Sequence, residues 1–192
     1  MDRTDKLVFI SSIDAVGMCT VNEYTEEQLP NPVTPYGLAK LCAEYYARNM
    51  SAEKNVQCIT LRFSQVYGPD EPEIKIIPVI RKALTDGLNF NLFTSGKERR
   101  KYLYIDDAIQ AIIRSICSDK TGVFNIAGNE SISMNELIGV MEDTWEKKLN
   151  IIYSPVPAEG ADNLPCIDKA VTQLGYIPEV SIRDGMMLIK NS

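Results

Sequence analysis

The chain has 192 residues, 45% of them hydrophobic and 24% charged, with a formal net charge of −6. That length holds one domain, or one domain with a small appendage, and the composition is that of a globular protein with a sizeable core. The acidic balance argues against nucleic acid or an anionic membrane as partner, and no apolar run reaches the roughly 20 residues that a bilayer requires.

With no histidine in the sequence, a histidine base is excluded and no metal site is expected. Five cysteines, Cys19, Cys42, Cys58, Cys117 and Cys166, are odd in number and scattered without a C-x-x-C pair. They read as reduced, mostly buried thiols of a cytoplasmic protein. The polar opening residues lead into only a short apolar stretch, which does not read as a secretory signal.

Leu7-Val8-Phe9-Ile10, followed by Ser11-Ser12, suits a strand buried on both faces of a parallel sheet. A polar loop is expected from about Asn22 to Val33. Thr34 then suits a helix N-cap and Pro35 the first helical position. The helix runs from Tyr36 to about Met50, with Leu38, Leu41, Cys42, Tyr45 and Tyr46 as its apolar stripe. Val56 to Phe63 is the next strand, ended by the turn Tyr67-Gly68-Pro69, which completes a right-handed strand–helix–strand unit.

Ile76 to Thr85 reads as a helix closed by Gly87. Short strands, Phe90 to Phe93 and Tyr102 to Ile105, flank the basic run Lys97-Glu98-Arg99-Arg100-Lys101. Asp106 can cap a helix from Asp107 to about Cys117, whose apolar face carries Ala108, Ile109, Ile112, Ile113 and Ile116. Val123 to Ile126 is a strand, and the capping box Ser133-Met134-Asn135-Glu136 opens a helix to about Glu146. Asn150 to Tyr153 is a further strand, followed by a loop with Pro155 and Pro157. Helices at Asp168 to Leu174 and Ser181 to about Ile189 close the chain. The pattern is α/β, with parallel-sheet units before residue 70 and a smaller lobe beyond it.

Tyr36 and Lys40 stand four residues apart, on one face of the opening turn of their helix. A lysine cation held beside a phenol favours the phenolate, which equips the tyrosine to exchange protons with a substrate hydroxyl. The same spacing also arises as an ordinary surface pair. In open parallel sheets ligands sit beyond the carboxyl ends of the strands. Two such ends, Ser11-Ser12 and Ser64-Gln65, should share a rim with the Tyr36 turn. There the Ser12 hydroxyl could bind the substrate oxygen on which Tyr36 acts; a plain strand-end turn is the alternative.

Leu7 to Ser12, then Tyr36-x-x-x-Lys40, then Leu61-Arg62-Phe63-Ser64-Gln65-Val66-Tyr67-Gly68-Pro69, resemble successive motifs of the extended short-chain dehydrogenase/reductase family. That branch includes NAD-dependent nucleotide-sugar epimerases and dehydratases. Arg100 to Asp107, Val123 to Gly128 and the tail from Asp168 to Ile182 resemble its later blocks, so ordered matches cover essentially the whole chain. The resemblance implies part of an NAD(P)-binding Rossmann fold in residues 1–70 and a mainly substrate-binding lobe in 71–192, with segments about 101–126 returning to the main domain. It implies NAD or NADP as cofactor and a nucleotide sugar or related sugar as substrate. Ser12, Tyr36 and Lys40 would be catalytic. Ser11, Phe63, Tyr36 and Lys40 would contact the cofactor, and Asp14, Gln65 and Arg100 the substrate. Arg100 matches an arginine that grips a diphosphate, a task suited to a guanidinium fork; on charge alone it reads as a solvated basic loop.

Departures from the family pattern shape the remaining expectations. No G-x-G-x-x-G or G-x-x-G-x-x-G turn occurs in the sequence. Under the resemblance the chain begins near the family's fifth strand, so it reads as a truncated form, with weak or absent dinucleotide binding by this chain alone. Ile13-Asp14 stands where dehydratases place Asp-Glu, which argues against dehydration. Gln65 replaces an asparagine, and no second phosphate-binding arginine is evident around residues 157–162. The leading expectation is an epimerase-like oxidoreductase. The alternative is a non-catalytic relative that binds a sugar nucleotide or a protein partner. An unpaired sheet edge would offer a route to homo-oligomers.

Overall fold

The computed structural model describes residues 4–17, 23–158 and 160–192; Cys19, Asn22 and Glu159 lie outside them. The first strand, β1 (Lys6–Ser12), extends beyond the expected apolar run at both ends and leads into a 3-10 turn, Ile13–Ala15. A two-residue strand, β2 (Glu23–Tyr24), follows inside the expected loop. Helix α1 (Pro35–Glu53) starts where its cap dictates: the Thr34 hydroxyl accepts from the Gly37 amide at 3.0 Å, and Pro35 occupies the first turn.

β3 (Gln57–Phe63) returns parallel to β1, in a register running from Lys6 opposite Gln57 to Ser12 opposite Phe63. Then come β4 (Gln65–Tyr67), α2 (Ile76–Asp86), β5 (Asn89–Thr94), β6 (Arg99–Arg100), β7 (Tyr102–Tyr104), α3 (Ile105–Cys117) and β8 (Gly122–Ile126). β8 pairs parallel with β3, so the main sheet has the order β1-β3-β8. β9 (Ile132–Ser133), α4 (Met134–Trp145), β10 (Asn150–Ala158), β11 (Leu164–Pro165), α5 (Asp168–Leu174) and α6 (Ile182–Lys190) complete the chain. β4 with β7, β5 with β10 and β2 with β11 are further parallel pairs, and β6 with β9 is antiparallel. The architecture is the α/β, parallel-sheet arrangement expected from the sequence.

Strand alternation sorts the sheet's two faces. Ile59, Leu61 and Phe63 of β3 and Phe124 and Ile126 of β8 pack with Ala108 and Ala111 of α3 and Ala170 and Leu174 of α5. Ser11 and Arg62, alternating with that set, reach instead to Glu44 of α1. A second apolar cluster joins α2, α4 and α6 to β5, through Ile80, Leu137, Met141, Met186 and Phe90 among others. The αL backbone at Gly87 (φ 68°) closes α2, a conformation that glycine adopts without a Cβ penalty.

Several expectations need correction. The stripe assigned to α1 does not face the sheet: Leu38, Tyr45 and Tyr46 are exposed, while Gly37, Glu44, Ala47 and Ser51 are buried. Small residues let this helix lie close to the strands, and an ion pair anchors it. α3 likewise turns Ile109, Ile113 and Ile116 outward and buries Asp107, Ala108, Ala111 and Ser115. Nor does Asp106 cap α3, because the helix begins at Ile105 and no side chain caps it. Asp107 works elsewhere, accepting from the amides of Glu179 and Val180 at 3.0 and 3.2 Å. β10 continues through the segment expected to be a loop, pairing Ala158 with Thr94 after a register shift. Cys42, Cys58, Cys117 and Cys166 are free thiols, but two are exposed and two half-buried, so the expectation of mostly buried thiols fails.

Candidate active site

The parallel register of β1 and β3 brings their carboxyl ends together, with Ser11 opposite Arg62 and Ser12 opposite Phe63. The first turn of α1 is drawn to the same rim by close backbone approach. A Cβ added at Gly37 would lie 2.2 Å from the Asp14 carbonyl oxygen, so glycine alone lets the helix dock on the 3-10 turn at this distance. β6 and the segment around Asn163 supply the opposite wall, through a parallel bridge between Arg100 and Asn163. These elements enclose an open cleft of about 650 Å³.

Ser11, Ser12, Asp14, Tyr36, Lys40, Phe63, Gln65 and Arg100 all line this one cleft. Tyr36 stands at its mouth, 54% exposed. The Lys40 ammonium lies 5.8 Å from the centre of the Tyr36 ring and 5.5 Å from that of Phe9, and donates to the Ile10 carbonyl oxygen at 2.9 Å. One ammonium hydrogen is thereby fixed and two remain for a ligand. The Ser12 hydroxyl oxygen accepts from the Asp14 amide at 3.1 Å, which orients it and leaves its own hydrogen free to donate.

Ser11 is different. It is buried, and its hydroxyl donates to Glu44 at 2.5 Å, so it offers the cleft only backbone. Arg100 carries no salt bridge among the described residues, and Asp14 and Gln65 are exposed at the rim. Lys40, Lys75 and Arg100 against Asp14 and Glu71 give the lining a cationic excess. That balance suits a ligand bearing an anionic group.

Glu44 and Arg62 lie just behind this wall and were not singled out from the sequence. The guanidinium grips the carboxylate at both oxygens, Nε to Oε1 at 3.0 Å and Nη2 to Oε2 at 2.7 Å, and both side chains are buried. With Ser11 as a third member, the pair ties α1 to β1 and β3 behind the turn that carries Tyr36. Residue type alone carries no signal for it, because the partners lie 18 positions apart on different elements. Ser64 lines the cleft as its place at a strand end led one to expect, and Glu71 and Tyr102 line it without having been expected. Burial pushes the Tyr102 phenol up to about 12, which removes it from proton exchange near neutrality. Burial likewise pushes the Glu71 carboxyl up to about 7, against the opposing charges of Lys75 and Arg81. Among the described residues no group of three or more Cys, Asp or Glu could hold a metal ion, and no helix is long and apolar enough to cross a membrane.

Residues 1–127 match the NAD dependent epimerase/dehydratase family. The dTDP-4-dehydro-6-deoxyglucose reductase of Escherichia coli is 30% identical over 97% of this chain and 61% of its own length. GDP-mannose 3,5-epimerase of Arabidopsis thaliana is 28% identical over 82% of this chain and 43% of its own. Among solved structures, UDP-glucuronic acid 4-epimerase from Bacillus cereus in complex with NAD superposes with a TM-score of 0.89 at 27% identity, covering 97% of this chain and 59% of that one. UDP-glucose 4-epimerase from Thermotoga maritima with UDP-glucose gives 0.89 at 25% identity, over 97% and 62%. The chain therefore spans less than two thirds of the length of each of these relatives.

Proposed function

We propose that this chain, which belongs to the NAD dependent epimerase/dehydratase family, carries the substrate-binding and proton-transfer machinery of a nucleotide-sugar epimerase-like oxidoreductase. The observation that carries this reading is the meeting of Ser12, Tyr36, Lys40 and Arg100 on one cleft, from strands and a helix far apart in sequence. Arg100 binds the diphosphate of the sugar nucleotide, and Asp14 and Gln65 contact the remainder at the rim. Tyr36 takes the proton of a sugar hydroxyl and returns it. Ser12, already oriented by the Asp14 amide, donates its free hydrogen to the same sugar oxygen and stabilises charge developing there.

The donor set suits the nicotinamide end of NAD or NADP. Lys40 has two ammonium hydrogens beyond the one given to Ile10, enough for ribose hydroxyls, and Ser11 and Phe63 flank that position from the paired ends of β1 and β3. When bound, the nicotinamide supplies reversible hydride acceptance from the sugar carbon. The pyrophosphate end has no such support, since the sequence contains no glycine-rich turn. Weak or absent dinucleotide binding by this chain alone is accordingly part of the proposal.

So is the division of labour along the chain. Residues 1–70 belong to the Rossmann-like part and 71–192 mainly to the substrate lobe, with about 101–126 returning. The shared packing of Leu103, Ala108 and Phe124 with Ile59 and Leu61 supports it. The free thiols suit a cytoplasmic setting.

Titration calorimetry with UDP-glucose and with NAD tests the proposal. Binding of UDP-glucose that is lost in Arg100→Ala is the expected result, and failure to bind any nucleoside-diphosphate sugar rejects it. Where turnover is measured, Tyr36→Phe should lower it by about 10² or more, the usual worth of a positioned acid/base. Near-normal turnover in that variant defeats the catalytic assignment. The missing glycine-rich turn favours one second reading, a family relative that binds sugar nucleotide without turnover. Binding of UDP-glucose with none of NAD is its signature.

A further inference from the structure

Two buried side-chain oxygens at the cleft have no hydrogen-bond partner among the described residues: Ser64 Oγ and Glu71 Oε2. Both residues line the cleft. Ser64 directly follows β3, only 6% exposed, and its amide donates to the Ile126 carbonyl oxygen at 2.9 Å, so its backbone is fixed. Glu71 is held in the turn ahead of α2, where its amide reaches the Gly68 carbonyl oxygen at 3.3 Å. An unsatisfied buried oxygen forfeits its hydration without compensation, and native structures retain few of them without a reason. A ligand hydroxyl both donates and accepts, so it can meet a carboxyl oxygen and a serine hydroxyl alike.

We propose that Glu71, assisted by Ser64, is the specificity-determining group that reads a hydroxyl of the bound sugar. The inference rests on the cleft being the nucleotide-sugar site argued above. Neither residue takes part in the proton transfer assigned to Tyr36 and Ser12. Glu71 accepts from the sugar O–H, and Ser64 donates to or accepts from a neighbouring sugar oxygen. A site built this way discriminates strongly against a ligand lacking the hydroxyl, because the protein groups are then left unpaired. The charged groups that act on Glu71 are Lys75 and Arg81, and Glu71 in turn acts on Tyr102, which Arg100 and Glu98 also influence. Burial holds the carboxyl near the middle of the physiological range, so its acceptor strength changes between pH 6 and 8.

The test compares UDP-glucose with UDP on the full chain, by calorimetry at pH 6 and pH 8. The wild type should bind UDP-glucose more tightly than UDP, and the ratio of the two affinities should grow as Glu71 ionises. The terminal phosphate of UDP itself ionises in this range while the diphosphate of UDP-glucose does not, so the part of the pH dependence that reports Glu71 is the difference in the ratio between the wild type and Glu71→Gln. Glu71→Leu should weaken UDP-glucose about tenfold while leaving UDP within twofold. Glu71→Gln should leave only the pH dependence that the terminal phosphate of UDP contributes, and Ser64→Ala should give a smaller loss of the same selectivity. Equal losses for both probes, or no loss, would overturn the role of Glu71 while leaving the cleft as the binding site. A wild type that binds neither probe overturns this inference and the proposed function together.

Discussion

Gly37 carries no functional group, yet it fixes how close Tyr36 comes to Ser12. A methyl there would press on the Asp14 carbonyl oxygen at 2.2 Å, so Gly37→Ala must push α1 away from the 3-10 turn. Misplacement of a reacting group by about 1 Å can cost on the order of 10² in rate. Turnover in Gly37→Ala should therefore fall toward that of Tyr36→Phe while UDP affinity, which the proposed function assigns to Arg100, changes little; steady-state kinetics with a parallel UDP titration checks it. Glu44 makes the complementary case. Glu44→Ala leaves the Arg62 guanidinium buried without its counter-ion, and denaturant unfolding should show a loss of about 3–5 kcal/mol. At this scale the sequence was uneven. Tyr36, Lys40 and Ser12 were legible because local chemistry marks them: a cap, a four-residue spacing and a strand end. Glu44, Arg62 and Glu71 were not, because each acquires its place only from elements that meet in three dimensions, and Ser64 was legible only as a strand end.

Helix starts with their own side-chain caps were readable, and those without were not. Ser133 accepts from the Glu136 amide at 3.2 Å while Glu136 accepts from the Ser133 amide at 2.8 Å, the reciprocal pair that the sequence announced for α4. Ser133→Ala should cost about 1 kcal/mol in urea unfolding. Those hydrogen bonds from Ser133, with Arg99 adding to them, hold the Glu136 carboxyl below the usual carboxylate value. A depressed acid contributes stability that is present above its unfolded value and lost as pH falls through the folded one. The penalty of Ser133→Ala should accordingly shrink between pH 7 and pH 3, and unfolding curves at both pH values measure it. α3 shows the opposite situation. With no cap to mark it, its start fell between Tyr104 and Ile105 instead of at Asp106. Its isoleucine stripe was taken for the buried face, but alanine and serine are what fit against the sheet.

Across the molecule, among the described residues, β1 pairs only with β3 and leaves its outer edge without a strand. Leu38, Tyr45 and Tyr46 on α1 and Ile109, Ile113 and Ile116 on α3 are exposed as well. Open ladder groups and apolar surface together favour association. Light scattering should show the average mass rising with concentration, and Ile113→Lys should reduce that rise; a monomer at all concentrations would remove the expectation of homo-oligomers.

The cleft itself has a thermodynamic corollary. Its walls come from chain positions as distant as Ser11 and Asn163, so no fragment of the fold holds the pocket by itself. Whatever enters it must engage the fully assembled chain and ignore the unfolded one. A fitting molecule at a hundred times its dissociation constant then adds about 2.7 kcal/mol to unfolding. Melting curves alone could screen a panel of sugar nucleotides, ranking them by affinity without any assay of turnover.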